Sequence, residues 1–150
     1  MSKVFGLNTK LAFAIFIIAD LLCVAMGMGV PIFCIGFGFF VGWYIAKRVT
    51  MGTASLREVM RGILLYAVVT SAATFVVMTV LWGPTIAMLF DPDSDFANFG
   101  IPMILYDPKM SFIGWLVLMI VISPFLQLLT TLFSSYLTLL SWVKNSDSRP

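Results

Sequence analysis

The sequence predicts an all-α integral membrane protein with four transmembrane helices and both termini in the cytoplasm. Hydrophobic residues make up 61% of the chain and charged residues only 11%, whereas soluble domains average about half apolar and a quarter charged. Four apolar stretches approach the roughly 20 residues that a helix needs to cross a bilayer. If all four stretches cross the bilayer, almost all of the basic residues fall on the same side of it. Because no repeat or low-complexity linker divides the sequence, we treat residues 1–150 as one membrane domain.

The first two predicted spans, about residues 11–29 and 31–46, are joined by an uncharged turn. Glycine in that turn permits a tight reversal, and Pro31 suits the first turn of a helix. The second span is short because Lys47 and Arg48 close it. The two spans therefore form a tight hairpin, which either reaches the far surface or turns back inside the bilayer as a re-entrant hairpin.

The third and fourth spans are predicted over about residues 56–83 and 110–143. Ser55 and Glu58 have the spacing of a capping box, in which two side chains satisfy backbone donors at the start of a helix. The fourth span is longer than an untilted crossing requires, since each residue adds about 1.5 Å. It therefore tilts, kinks near Pro124 or projects beyond the bilayer.

The distribution of charge predicts the orientation of the chain. Eight of the nine basic residues fall on one side of a four-span arrangement, and only Lys109 falls on the other. Because cytoplasmic loops carry the excess of lysine and arginine, we expect both termini and the 47–61 loop in the cytoplasm of a prokaryotic cell. The opposite loop, residues 84–109, carries four aspartates and faces outward. Four of the basic residues are also candidates for contacts with anionic lipid headgroups: Lys47, Arg48, Arg57 and Arg61.

Small residues recur at four-residue intervals in both helices of the hairpin, a pattern typical of close helix packing in membranes. We expect the two small faces to pack against each other. Their residues are Ala19, Cys23 and Gly27 in the first span and Cys34, Gly38, Gly42 and Ala46 in the second. Cys23 and Cys34 lie symmetrically about the turn, which leaves either a disulfide or two free thiols open.

Polar residues of the fourth span follow the helical period and form one face of the helix: Ser123, Gln127, Thr130, Ser134, Thr138 and Ser141, widened by Thr131 and Ser135. Such a face points toward other helices or toward a hydrated pathway rather than toward lipid. Serine and threonine also bond to backbone carbonyls, which lowers the cost of burying them against another helix. Three residues of the third span complete either arrangement: Thr70, Ser71 and Thr74.

Asp20 is the most informative residue because it lies near the middle of the first span. An aspartate at that depth costs about 2.5–3.5 kcal/mol on insertion, and ionisable residues there are functional candidates. The face that it shares with Cys23 directs it toward Gly38. Three explanations are open: a protonated carboxyl bonded to Gln127 or a hydroxyl, a proton or cation site in a transport path, or a pair with a basic residue of another subunit. The candidate ion or partner site comprises Asp20, Gln127, Thr130 and Ser134.

The outer loop contains alternating acids from Asp91 to Asp95, like the start of a calcium-binding loop. The pattern fails at Phe96, where such a loop needs glycine, so we expect no metal site. The apolar residues that follow either fold back on the helix ends, lie in the membrane interface or contact a partner. These residues are Phe96, Phe99, Ile101, Met103, Ile104, Leu105 and Tyr106.

The composition also limits the function. Histidine is absent, and the sequence has no phosphate-binding loop, nucleophile elbow or pair of catalytic carboxylates, so we expect no cofactor and no enzyme other than one acting on lipid. A net charge of +2 gives no basis for nucleic-acid binding. Our leading hypothesis is an assembly or accessory subunit that contacts itself or another membrane protein. The alternative is a small proton- or cation-coupled transporter or channel subunit that uses Asp20.

Overall fold

A computed structural model describes residues 6–26, 31–52 and 55–147. Within those ranges the chain is helical and contains no strand. Four helical stretches are long and apolar enough to cross a membrane, which confirms the prediction of four candidate spans. They indicate a multi-pass integral membrane protein. The side on which each terminus lies, and full crossing by the first hairpin, stay predictions.

The four candidate spans are built from five α-helices, because the last span is interrupted by a π-helical turn. The helices are α1 (Thr9–Met26), α2 (Ile32–Gly52), α3 (Leu56–Trp82), α4 (Pro108–Val117) and α5 (Ser123–Asp147). The π-helical turn between α4 and α5 is Leu118–Ile122, and a 3₁₀ helix, Gly83–Phe90, follows α3.

The second span is longer than the sequence predicted. It was expected to end at residue 46, but α2 continues through Lys47 and Arg48 to Gly52 and contains 21 residues. At about 1.5 Å per residue it reaches roughly 31 Å, the thickness of the hydrocarbon core. The prediction was wrong because a basic pair ends the apolar segment without ending the backbone helix. The turn that joins α1 to α2, including Gly27, lies outside the described residues.

The third span begins at Leu56 as expected, but the predicted capping box is absent. Ser55 has an extended backbone with φ −87° and ψ 121°, and its side chain makes no capping hydrogen bond. The first backbone bond is made by the amide of Val59, which donates to the carbonyl oxygen of Ser55 at 3.0 Å. The spacing of Ser55 and Glu58 therefore predicted the start of the helix correctly, but the capping hydrogen bond that it predicted for Ser55 is absent.

The fourth span is distorted next to its proline, one of the three outcomes that its length allowed. Proline has no N–H to donate to the preceding turn, so the α-helical ladder is interrupted at Pro124. The backbone widens there, and the amide of Ser123 donates to the carbonyl oxygen of Leu118 five residues earlier. The span begins with a defined cap, in which Asp107 Oδ1 accepts from the amide of Met110 at 2.8 Å.

The closest helix pair is α2 with α5. A Cβ atom on Gly42 would collide with the backbone carbonyl oxygen of Thr131, and a Cβ on Gly38 would lie 2.7 Å from the carbonyl oxygen of Gln127. The small face of α2 is therefore covered by α5. The expectation that this face would pack against the first span was wrong for Gly38 and Gly42, because periodicity identifies a face and not the helix that covers it. Cys34, at the other end of the face, does lie in a cluster with Val24 and Cys23 of α1.

Side-chain hydroxyls of α5 hold this contact together. Thr130 Oγ1 donates to the carbonyl oxygen of Ile35 at 2.8 Å, and Ser134 Oγ donates to that of Phe39 at 2.6 Å. Ser135 Oγ donates to the carbonyl oxygen of Gly42 at 2.9 Å. Because the glycines allow the two backbones to approach, short hydroxyl side chains reach across to the other helix.

Buried side chains recur every four residues along the helices. The positions are Phe16, Asp20 and Val24 in α1, Cys34, Gly38, Gly42 and Ala46 in α2, Val59, Ile63, Ala67 and Ser71 in α3, and Ser123, Gln127, Thr131, Ser135 and Leu139 in α5. A period of four exceeds the 3.6 residues of an α-helical turn and is typical of crossings in which the ridges of every fourth residue interdigitate.

Two apolar clusters fill the two ends of the bundle. We call the basic end the one that holds the starts of α1 and α3 and the ends of α2 and α5, and the acidic end the opposite one. The cluster at the basic end includes Phe16, Ile45 and Leu139. The cluster at the acidic end includes Met78 and Trp115. Between these clusters lie the buried polar side chains.

We predict that Gly42→Ala destabilises the protein by about 1–3 kcal/mol, because the added methyl group forces α2 away from the backbone of α5. Gly36→Ala is the matched control, since a Cβ there meets no atom within 4 Å. That control should be neutral or stabilise by up to about 1 kcal/mol through helix propensity. Unfolding by SDS in mixed micelles, followed by tryptophan fluorescence, measures both. Equal stability of the two variants would contradict the close contact.

Candidate functional site

Asp20 lies at the centre of a buried polar cluster formed by three helices. Its side chain is 0% exposed. The side-chain amide of Gln127 on α5 donates from Nε2 to Asp20 Oδ1 at 3.4 Å. Thr74 on α3 also lies near the carboxyl, and its hydroxyl donates to the carbonyl oxygen of Thr70 at 3.2 Å. The helices α1, α3 and α5 therefore meet at this carboxyl.

The fold directs Asp20 inward because of its place on α1. Phe16, Asp20 and Val24 form the buried face of that helix, and the rest of its surface is largely apolar and exposed. Phe16 packs into the cluster at the basic end and Val24 into the cluster at the acidic end. The two apolar residues fix the rotation of α1, so the carboxyl between them cannot turn toward lipid or water.

Two polar atoms of this cluster have no hydrogen-bond partner among the described residues. They are Asp20 Oδ2 and Gln127 Oε1; outside the contacts of the carboxyl, Ser123 Oγ and Trp82 Nε1 are also buried and unpaired. Ser123 is 0% exposed and lies one helical turn before Gln127 on the same face of α5. Unpaired polar atoms at full burial cost free energy, and they occur where a structure holds a proton, an ion or a water.

Asp20 is also the only ionisable carboxyl or basic group that is buried in the described part of the chain. Carboxylate, amide and hydroxyl oxygens together offer either a proton acceptor or a set of hard oxygen ligands. One carboxylate with neutral oxygens around it carries a single negative charge. The cluster therefore matches a proton or a monovalent cation in charge.

The structure brings together two of the four candidate site residues, Asp20 and Gln127. Thr130 and Ser134 lie elsewhere, because their hydroxyls donate to backbone carbonyls of α2. The expected approach of the Asp20 carboxyl to Gly38 stays a prediction, since the hydrogen bond of the carboxyl is to Gln127 on α5.

Thr74 and Ser123 were predicted as parts of the polar faces of the third and fourth spans, but they were not among the four candidates for the site at Asp20. Both are 0% exposed. A signal was present, because Ser123 precedes Gln127 by one turn. The sequence did not reveal that the turn before Pro124 widens, nor that the buried residues Thr70, Thr74 and Met78 of α3 include a neighbour of Asp20. The neighbouring Ser71 instead donates to the carbonyl oxygen of Pro124 at 2.9 Å.

The remaining residues predicted to pack between helices are buried to different degrees. Cys34 and Ala46 are buried, whereas Ala19 and Cys23 are half-buried. Cys23 and Cys34 are free thiols. Of the two states that the sequence left open for this pair, the structure therefore has the unbonded one.

Among the basic candidates, Arg48 differs from the others. Its guanidinium donates to Tyr44 Oη and to Thr9 Oγ1, each at 3.0 Å, and so ties the end of α2 to the start of α1. The other three side chains are exposed: Lys47, Arg57 and Arg61. Arg48 thus has a structural contact in addition to any contact with lipid.

The acidic stretch of the outer loop folds into local turns. Asp91 Oδ1 accepts from the amide of Asp93 at 3.0 Å. The described residues contain no group of three His, Cys, Asp or Glu side chains that could hold a metal ion. The pKa of Asp95 lies below its usual range because the side-chain amide of Asn98 donates to Oδ2 at 2.7 Å and the backbone amide of Asn98 to Oδ1 at 3.2 Å.

The apolar part of the loop divides into two segments. Phe96 and Phe99 fold back on the helices, with their rings 5.1 Å and 5.0 Å from that of Phe112. The segment from Met103 to Tyr106 is exposed, and Tyr106 is fully so. Of the three outcomes expected for this loop, folding back on the helices therefore holds for its first part only.

Comparisons with protein-family models, with curated proteins and with solved structures returned no match. The structure is that of a small multi-pass membrane protein in whose described residues a buried aspartate lies among polar side chains.

We predict that Asn98→Ala raises the pKa of Asp95 toward its usual value. The lowered pKa means that the turn from Asp95 to Asn98 is stabilised at neutral pH and loses that stabilisation as pH falls through the pKa of the folded state. The shift should be partial, because the backbone amide at position 98 still donates. Carboxyl carbon NMR of labelled aspartate measures it, with Ser94→Ala as the control. An unchanged pKa in Asn98→Ala would contradict the role of the amide.

Proposed function

We propose that this protein is a small, non-enzymatic transporter or channel subunit that takes up a proton or a monovalent cation at Asp20. The observation that carries the proposal is the fully buried carboxyl with an unpaired oxygen, beside an unpaired amide oxygen and an unpaired hydroxyl. A permanently structural carboxyl is expected to have its oxygens satisfied.

The position of Asp20 favours this function over pairing with another subunit. The carboxyl is enclosed by helices of its own chain, so a basic residue of a second protein has no direct access to it. A charged carboxylate in such a setting is costly unless it is paired. Uptake of a proton or a cation removes that cost, and release restores it, which is the basis of a reversible binding site.

The polar face of α5 does not supply the route to this site. The hydroxyls of Thr130, Ser134 and Ser135 are used by carbonyl oxygens of α2, and that of Thr138 by the carbonyl oxygen of Ser134. The proposal therefore does not use this face as a hydrated pathway. It places the exchangeable groups at Asp20, Gln127 and Ser123, whose side chains retain unpaired oxygens.

We predict that wild-type protein in liposomes carries a proton or cation flux and that Asp20→Asn reduces it to the level of empty liposomes. Asparagine keeps the shape and a hydrogen bond to Gln127 but takes up neither a proton nor a charge-paired cation at neutral pH. An internal pH-sensitive dye, with sodium or potassium gradients, measures the flux.

Asp93→Asn is the matched control, because it makes the same chemical change in an exposed residue of the outer loop. Gel filtration and circular dichroism establish that both variants fold. The proposal fails if the wild type carries no flux above empty liposomes, or if Asp20→Asn and the wild type carry equal flux.

A second function, an assembly or accessory subunit, is favoured by the exposed segment Met103–Tyr106. Ser111 fixes the backbone of this segment, since its Oγ accepts from the amide of Leu105 and donates to the carbonyl oxygen of Leu105, both at 2.8 Å. An apolar segment that is both exposed and held in place is typical of a contact surface. On this proposal it contacts another membrane protein or a second copy of the chain.

We predict that a photo-crosslinking amino acid at Ile104 captures a defined protein partner in native membranes. The same group at Asn98, an exposed polar residue of the same loop, should capture none. Mass spectrometry of the crosslinked band distinguishes a second copy from another protein. Crosslinks to lipid alone at Ile104 would show that the segment lies in the membrane interface and would contradict the assembly function.

A further inference from the structure

A long apolar groove opens where α1, α2 and α3 meet at the surface of the bundle. It has a volume of about 650 Å³, within the roughly 300–1,000 Å³ typical of sites for small organic molecules. Its floor includes the buried residues Phe16 of α1 and Val41 of α2, and Val69 of α3 lines its side. Because these helices are candidate membrane spans, the groove faces the lipid phase and admits an apolar ligand from the side.

One end of the groove is positively charged. Lys10 and Arg48 line it there, together with Thr9 and Tyr44, and no acidic residue lines the groove. The hydrogen bond from Arg48 to Thr9 Oγ1 shows that the start of α1 and the end of α2 lie at the same level. Arginine has five N–H donors, so its bonds to Thr9 and Tyr44 leave further donors for an anion.

The length of the groove corresponds to one leaflet of a bilayer. Along α1 it extends from Thr9 at the basic end to Ala19, and along α3 its inner end is Thr70. Ten residues of helix span about 15 Å, which is half of the roughly 30 Å hydrocarbon core. The groove therefore has a charged mouth at headgroup level and an apolar channel as deep as one acyl chain.

We propose that this groove binds one anionic phospholipid from the leaflet at the basic end of the bundle. The phosphate binds Lys10 and Arg48, and one acyl chain lies along the apolar floor toward Ala19. Trp43 and Tyr44 line the mouth, where aromatic side chains are favoured at the boundary between headgroups and acyl chains. The site rests on the groove and its charges and is independent of proton or cation uptake at Asp20.

The test is native mass spectrometry of the protein taken from nanodiscs that contain equal amounts of phosphatidylglycerol and phosphatidylcholine. We expect one phosphatidylglycerol to remain bound to each chain. Lys10→Gln should weaken its retention about fivefold, the loss expected for one basic residue at a lipid surface. Lys144→Gln is the charge-matched control, because Lys144 lies on α5 at the same end and does not line the groove.

A second pair of variants tests the apolar part of the site. Ala12 lines the groove, whereas Ala14 is exposed on another face of α1. Ala12→Trp should fill the groove and abolish retention of the lipid, and Ala14→Trp should leave retention unchanged. The two variants make the same change in volume on the same helix, so a general loss of fold would affect both.

Four outcomes would overturn the proposal. Equal retention of phosphatidylcholine would show that no headgroup is recognised. An equal loss in Lys144→Gln would show that lipid is held by general charge at that end of the bundle. Retention that persists in Ala12→Trp would place the lipid elsewhere, and a dimer without bound lipid would assign the groove to a second copy of the chain. Asp20→Asn should retain the lipid, so failure of the transport proposal leaves this one intact.

Discussion

The contact between α2 and α5 is the constraint on which the rest of the bundle depends. Inside a bilayer, helices gain nothing by leaving water, so their association needs close packing and hydrogen bonds between them. Gly38 and Gly42 provide the first, because there is no room for a Cβ atom at either position. The hydroxyls of Thr130, Ser134 and Ser135 provide the second. With this pair fixed, α1 and α3 complete the bundle around it.

The Asp20 cluster contrasts with the other buried polar groups of the protein. Elsewhere a hydroxyl meets a backbone carbonyl oxygen, as Ser71 meets that of Pro124 and Thr70 meets that of Tyr66. At Asp20 the carboxyl of α1 and the amide of Gln127 on α5 retain unpaired oxygens, and so does the hydroxyl of Ser123 one turn before Gln127. Among the described residues, the buried polar atoms without a partner are thus concentrated at Asp20, Gln127 and Ser123, and the one other such atom is Trp82 Nε1. This difference distinguishes the candidate site at Asp20 from the buried hydroxyls that only hold helices together.

The sequence predicts the parts of this fold that depend on one helix at a time. Hydropathy locates four spans, and periodicity locates the glycine face of α2 and the hydroxyl face of α5, because each property belongs to a single segment. The pairing of these two faces depends on tertiary structure and was assigned incorrectly. The same limit explains the site: the depth of Asp20 follows from its position in α1, and Gln127 is the polar group long enough to reach it. Thr130 was misassigned because a hydroxyl is equally satisfied by a neighbouring carbonyl.

The π-helical turn at Leu118–Ile122 sets the rotational phase between the two halves of the fourth span. Such a turn accommodates one residue more than an α-helical turn, and one residue corresponds to about 100° of rotation. Removing a residue there would turn Gln127 and the hydroxyls of α5 through that angle relative to Trp115 and the rest of α4. Insertion or deletion of a single residue at this turn, next to the polar cluster, would therefore change which side chains of α5 face the other helices.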